Sequence, residues 1–128
     1  MNFFLKKLGC PKNDVDGDYI IGRLIESGHT LSNAANCDAV IVNSCGFILP
    51  AKEESINEIL QYDALKKSGK IKRLYITGCL SQRYGKELRE EIPGIDGIFG
   101  LGRIDELINA IDNNLTNVFS AADDVRRE

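Results

Sequence analysis

The chain has 128 residues, of which 43% are hydrophobic and 27% charged, with a formal net charge of -3; this fits one globular domain around one core. Lysines, arginines and acids are scattered along the chain, so no basic face for a nucleic-acid backbone is expected. No stretch approaches the roughly 20 apolar residues of a membrane span, and Met1 to Leu5 runs straight into Lys6 and Lys7, unlike a signal peptide, so a cytoplasmic protein with reduced thiols is expected.

Residues Phe3 to Leu8 read as a strand. The turn Gly9-Cys10-Pro11-Lys12-Asn13 leads into a helix beginning near Asp14, with Val15, Tyr19, Ile20, Leu24 and Ile25 at helical spacing and Gly28 as its stop. A short edge strand at Thr30 and Leu31 and a turn rich in Asn and Ala precede Ala39-Val40-Ile41-Val42, a continuous apolar run of the kind found in buried parallel strands. Pro50 suits the first turn of the next helix, in which Glu53 and Glu54 would complement the dipole and Ile56, Ile59 and Leu60 would face inward; the pattern fades near Ser68-Gly69.

Arg73 to Thr77 reads as the next strand, Leu80, Tyr84 and Leu88 as a helix ended by Pro93-Gly94, and Ile98-Phe99 as a last short strand. Ile104 to Ile111 forms the final helix, with Leu107, Ile108 and Ile111 inward, and the polar stretch 114–128 reads as a linker after a domain spanning 1–113. Regular alternation of strand and helix implies a doubly wound α/β domain: a mainly parallel five-stranded sheet, helices on both faces, and the flavodoxin-like order 2-1-3-4-5.

Of the four cysteines, Cys10, Cys45 and Cys79 each follow a strand's carboxyl end, where open parallel sheets bind ligands. In the order 2-1-3-4-5 the strands before them are neighbours, about 4.8 Å apart, so the three thiolates can converge on one inorganic cluster. Three ligands suit a four-iron four-sulfur cluster with one iron left open to an exogenous group. Gly9, Gly46 and Gly78 would allow close backbone approach, and the following helix amino-termini would favour an anionic group. Cys37 precedes its strand, belongs to the opposite edge, and is assigned a structural role. On topology alone, buried small apolar side chains remain an equally good account of these cysteines.

Three segments carry a family resemblance. Leu8-Gly9-Cys10-Pro11-Lys12-Asn13, Asn43-Ser44-Cys45-Gly46-Phe47-Ile48 with Ala51 to Ile56, and Gly78-Cys79-Leu80-Ser81-Gln82-Arg83-Tyr84 resemble the three cysteine signatures of the radical-SAM methylthiotransferases. Glu91 to Asp96 and Gly100 extend the resemblance over roughly residues 3–113. Cys-Pro-Lys-Asn, Gly-Phe-Ile and Gln-Arg-Tyr resemble the branch that modifies a ribosomal protein; the transfer-RNA-modifying branch is the nearer alternative. Gly17-Asp18 stands where the family generally has Ser-Glu, and Ser44 where it has Thr.

The resemblance implies that Cys10, Cys45 and Cys79 hold an auxiliary 4Fe-4S cluster. It further implies a following radical-SAM domain, acting in cis, whose Cys-x-x-x-Cys-x-x-Cys motif binds a second 4Fe-4S cluster and S-adenosylmethionine, and beyond it a small substrate-binding β domain. No such cysteine motif occurs in this sequence, so the chain reads as a fragment, inactive by itself and without catalytic residues of its own. The implied reaction adds a methylthio group to the β-carbon of an aspartate in a small-subunit ribosomal protein, with neither membrane nor nucleic acid as a direct partner. A flavodoxin-like module holding flavin or nucleotide in the same crevice is the main alternative class; a domain that only docks another protein is the third.

Other signals are weaker. Gly97-Ile98-Phe99-Gly100-Leu101-Gly102 is a turn into the last helix, not a dinucleotide fingerprint. His29 reads as a solvent-facing loop residue at the wrong sheet edge; Lys6 and Lys7 are unusual in a central strand, where one could point toward the cluster although strand-end lysines more often extend to solvent, and they are left unassigned. Asn13, Asp16 and Asn43 flank the cysteines as loop-shaping residues.

Overall fold

A computed structural model of the chain describes residues 2–7, 11–33, 37–44, 49–78, 86–99, 104–113, 115–116 and 118–119. Its strands are β1 (Asn2–Lys7), β2 (Thr30–Leu31), β3 (Ala39–Ser44), β4 (Arg73–Gly78), β5 (Gly97–Phe99) and β6 (Val118–Phe119). Its helices are α1 (Pro11–Glu26), α2 (Leu49–Lys67), α3 over residues 86–91, and α4 (Ile104–Asp112). All strands are parallel in the order β2-β1-β3-β4-β5-β6. The expected order 2-1-3-4-5 is present, extended by β6, which lies within the stretch read as a linker and pairs Val118 with Gly97. Two residues are too few to leave a periodic signal.

Period-two alternation divides the sheet's side chains between two cores. On one face Val40, Val42, Leu74, Ile76 and Ile98 pack with Ile59 and Tyr62 of α2 and Leu88 of α3. On the other, Phe3, Leu5, Ile41, Tyr75 and Phe99 pack with Ile20 and Leu24 of α1 and Leu107, Ile108 and Ile111 of α4. Both faces being covered explains why β3 and β4 are apolar at successive positions.

Two helix stops follow from glycine. Gly28, at φ 97°, follows α1, and His29 N donates to Leu24 O at 3.0 Å while Gly28 N donates to Ile25 O at 3.0 Å, the pair of hydrogen bonds of a left-handed carboxyl cap. Gly69, at φ 84°, caps α2 in the same way through Lys70 N to Leu65 O and Gly69 N to Lys66 O.

The structure corrects several expectations. Tyr19, Ile25 and Leu60 are about half exposed, whereas Ile20, Leu24 and Ile59 are buried as expected and are joined by Tyr62. Helical spacing admits neighbouring residues on either margin of an apolar stripe, and packing decides between them. α1 starts at Pro11, before Asp14, because proline is well suited to a first helical position. α2 starts at Leu49, so Glu53 and Glu54 fall beyond the first turn, where the dipole has faded. Leu80 and Tyr84 lie outside the described residues.

Candidate functional site

Cys10, Cys45 and Cys79 lie outside the described residues, as do Gly9 and Gly46. The strand ends that lead to them are described. β1 ends at Lys7, three residues before Cys10; β3 ends at Ser44 and β4 at Gly78, each one residue before its cysteine. These ends are lateral neighbours, for Lys7 pairs with Asn43, Asn43 with Thr77, and Ser44 with Gly78. α1 begins at Pro11, directly after Cys10 in sequence, so a helix amino-terminus stands at this carboxyl edge.

Gly78 has φ 102°, in the left-handed region that suits glycine, and it turns the chain immediately before Cys79. The residues just inside the edge are polar. Asn43 and Thr77 are 1% and 3% exposed, although every described residue below them in β3, and all but Arg73 in β4, is apolar. Thr77 was not singled out by sequence reasoning; its place in a strand otherwise buried was the available signal.

Lys7 does not simply extend into solvent. Its Nζ donates to Asp18 Oδ1 at 2.9 Å, and its stem crosses α1 at Gly17, where a Cβ would stand 2.6 Å from Lys7 Cδ and 2.7 Å from Cγ. The Gly17-Asp18 pair thus gives room to the lysine stem and a partner to its charge. Lys6, also in β1, is half-buried. Asn13 and Asp16 lie in α1, and their side chains lie outside the described ones.

Cys37 lies two residues before the first residue of β3, at the amino-terminal edge, and is buried among Val40, Tyr62 and Ile71. Burial, with a smaller contribution from the Asp38 charge, raises its thiol to about 11, so it stays protonated at neutral pH. His29 is also at that edge but is not solvent-facing: its Nε2 is 2.7 Å from Asp112 Oδ1, and only 11% of its side chain is exposed, tying the α1–β2 turn to the end of α4. An ionic contact unforeseen from sequence closes this edge further. Lys66 Nζ, at the end of α2, donates to Asp96 Oδ1 at 2.9 Å and to Gly94 O at 2.6 Å, while Asp96 Oδ2 accepts from Leu74 N at 2.9 Å.

Among the described residues no group of three or more His, Cys, Asp or Glu side chains could hold a metal ion, and no helix is long and apolar enough to cross a membrane. The amino-terminal edge is an ionic and apolar closure, whereas at the carboxyl edge the strands that precede Cys10, Cys45 and Cys79 in sequence end side by side at the polar row Lys7, Asn43 and Thr77. A donor set of three thiols suits an iron-sulfur cluster in its chemistry, and the adjacency of the strand ends suits a shared one.

Comparison with known proteins gives the same span. The sequence profile of uncharacterized protein family UPF0004 matches residues 2–100. A protein of Desulforamulus reducens named ribosomal protein uS12 methylthiotransferase RimO is 51% identical over 112 residues, covering 87% of this chain and 25% of that protein. Proteins of the same name from Thermosipho melanesiensis and Syntrophomonas wolfei are 51% identical over 102 residues, covering 79% of this chain and 24% of the relative, and 46% identical over 112 residues, covering 87% and 26%. The chain spans about a quarter of the length of these curated relatives.

Proposed function

We propose, from the premise that this chain belongs to the uncharacterized protein family UPF0004, that it is the amino-terminal part of a methylthiotransferase acting on ribosomal protein uS12. In this reading the domain comprises residues 1–113 together with β6 (Val118–Phe119), the rest of the stretch 114–128 leads toward a radical-SAM domain, and Cys10, Cys45 and Cys79 hold an auxiliary 4Fe-4S cluster. The observation that supports the cysteine assignment most is the parallel adjacency of the β1, β3 and β4 ends. Successive Cα atoms are about 3.8 Å apart, so Cys45 and Cys79 are one peptide away from neighbouring strand ends. The protein is cytoplasmic in this account, in keeping with a ribosomal substrate.

When bound, the cluster would supply an open iron that can carry sulfur for transfer to a substrate carbon, here the β-carbon of a uS12 aspartate. The work of this chain's residues is to bind and orient. Three thiolates from three loops fix the cluster's position relative to the sheet, and the amino-terminal dipole of α1 offsets part of their negative charge. Gly78 directs the chain out of β4 without side-chain strain. A radical-SAM domain in cis, with S-adenosylmethionine and a second 4Fe-4S cluster, would supply the hydrogen abstraction; the Cys-x-x-x-Cys-x-x-Cys motif that would hold that cluster does not occur in this sequence.

Anaerobic incubation of the 128-residue chain with ferrous iron, sulfide and a thiol reductant tests this. The expected product has a broad iron-sulfur absorbance near the blue and no activity on S-adenosylmethionine. Protein that stays colourless, or that takes up flavin with a structured flavin spectrum, contradicts the proposal.

A further inference from the structure

We infer that Tyr75 is a positioning residue: its hydroxyl, carried across β5 over Gly97, straps the segment around β6 to the sheet and thereby fixes where the chain leaves the domain. The strap is independent of the cysteine assignment; that a radical-SAM domain follows it rests on the function proposed above.

Tyr75 lies in β4 and is fully buried, yet its hydroxyl donates to Leu115 O at 2.6 Å, beyond β5. The ring reaches that far because its register partner in β5 is Gly97. A Cβ at Gly97 would stand 2.7 Å from Tyr75 Cδ1 and 2.8 Å from Phe99 Cε2, so the glycine leaves the ring its path. A buried hydroxyl is costly without a partner, and here the partner is a main-chain carbonyl in the stretch that sequence patterning alone reads as a linker. The ladder that holds this stretch is short. β6 has two residues, fewer than strands usually have; Leu115 N donates to Ala110 O at 2.8 Å and Val118 N to Asp96 O at 3.0 Å, and Val118 is half-buried against the α1 and α4 core.

The direction of β6 gives the strap its consequence. β6 is parallel to β5, so the chain runs along it toward the carboxyl edge. Phe119 pairs with Ile98, Ile98 with Ile76, and Ile76 with Val42, the row just before Asn43 and Thr77. At roughly 4.8 Å between neighbouring strands, Phe119 stands about 10 Å from β4. With β6 held in this register, the chain is handed on near the strand ends that precede Cys45 and Cys79. Released, it would leave instead from the end of α4, at the amino-terminal edge where Asp112 meets His29.

The test is residue-resolved amide exchange by NMR on the 128-residue chain, without added iron, and on Tyr75→Phe, Gly97→Ala and Tyr62→Phe, with the melting temperature of each. Tyr75→Phe keeps the ring and removes the donor, whereas Gly97→Ala keeps the hydroxyl and obstructs the ring. Tyr62→Phe is the control, because it removes a second buried tyrosine's hydroxyl, bonded to Glu58 Oε1 at 3.3 Å on the other face of the sheet. The expected result is exchange on the order of tenfold faster at the Leu115 and Val118 amides in Tyr75→Phe, as loss of one hydrogen bond allows, with the β3 and β4 amides as protected as in the parent. The cross-strand nuclear Overhauser contact between Gly97 and Val118, which reports the register, should weaken with it. Gly97→Ala should release the same two amides, and Tyr62→Phe should leave them at parental rates. A merely structural role would speed exchange throughout the sheet in step with a lower melting temperature, and that result overturns the inference. Unchanged exchange at Leu115 and Val118 in Tyr75→Phe also overturns it, since the short ladder would then hold by itself. Neither failure touches the cysteine assignment, and a chain that binds no iron leaves the strap standing.

Discussion

At the scale of single residues, the buried titratable groups fix how stability should vary with pH. Burial raises the Cys37 thiol from 9.0 to about 11. Burial first, then the Glu58 charge, raises Tyr62 from 10.0 to about 12, and burial with the Asp96 charge does the same for Tyr75, whose hydroxyl donates to Leu115 O at 2.6 Å. Below pH 9.0 the Cys37 thiol is protonated in folded and unfolded chains alike and contributes no slope. Between 9.0 and about 11 the unfolded chain releases a proton that the folded chain keeps, so stability falls as pH rises. The tyrosines continue the fall between 10.0 and about 12. Urea unfolding of the cluster-free protein at a series of alkaline pH values should show this decline, and Cys37→Ser should flatten its first part. An undiminished slope in Cys37→Ser would show that the thiol does not titrate on unfolding.

At the scale of elements, the sequence disclosed most of the architecture. The apolar run Ala39 to Val42 identified a doubly covered strand, and Gly28 and Gly69 marked helix ends that the structure closes with left-handed caps. Exposure of Tyr19, Ile25 and Leu60 was not legible, because it depends on how far each helix is rotated against its neighbours. Nor was the pairing of Lys66 with Asp96, since contacts across 30 residues leave no local signature. That contact joins the end of α2 to β4 and β5: Asp96 accepts from Leu74 N, and its own N donates to Leu74 O at 2.8 Å. Asp96→Ala would leave the buried Leu74 amide without its side-chain acceptor, a loss of about 1–3 kcal/mol, while Lys66 keeps its bond to Gly94 O. Asp96→Asn keeps a hydrogen-bond acceptor and should cost less. The urea midpoints of the two variants check the order, and equal midpoints would remove Asp96 from the account of how this edge is held.

At the scale of the whole molecule, strand order makes the strands that precede three separated sequence motifs neighbours, which is the ground for proposing that the motifs share one site. Cys10, Cys45 and Cys79 were legible as candidates because each follows a strand in sequence, and the observed order makes those strands neighbours. The buried polar pair Asn43 and Thr77 was only half legible, Asn43 through its motif and Thr77 only through its place in an apolar strand, because burial at a strand's last positions depends on the helices that cover it. Cys37 lies at the amino-terminal edge, a strand length from the ends of β3 and β4, and this separation makes the four cysteines unequal in a measurable way. The direct measurement is iron and acid-labile sulfide per chain after identical anaerobic reconstitution of the parent and of Cys10→Ala, Cys37→Ala, Cys45→Ala and Cys79→Ala. Loss of a thiolate from a three-ligand set leaves a cluster too weakly held and too open to solvent to persist. The account predicts a four-iron complement in the parent and in Cys37→Ala, and its loss in each of the other three. Iron retained in Cys79→Ala and lost in Cys37→Ala would contradict it.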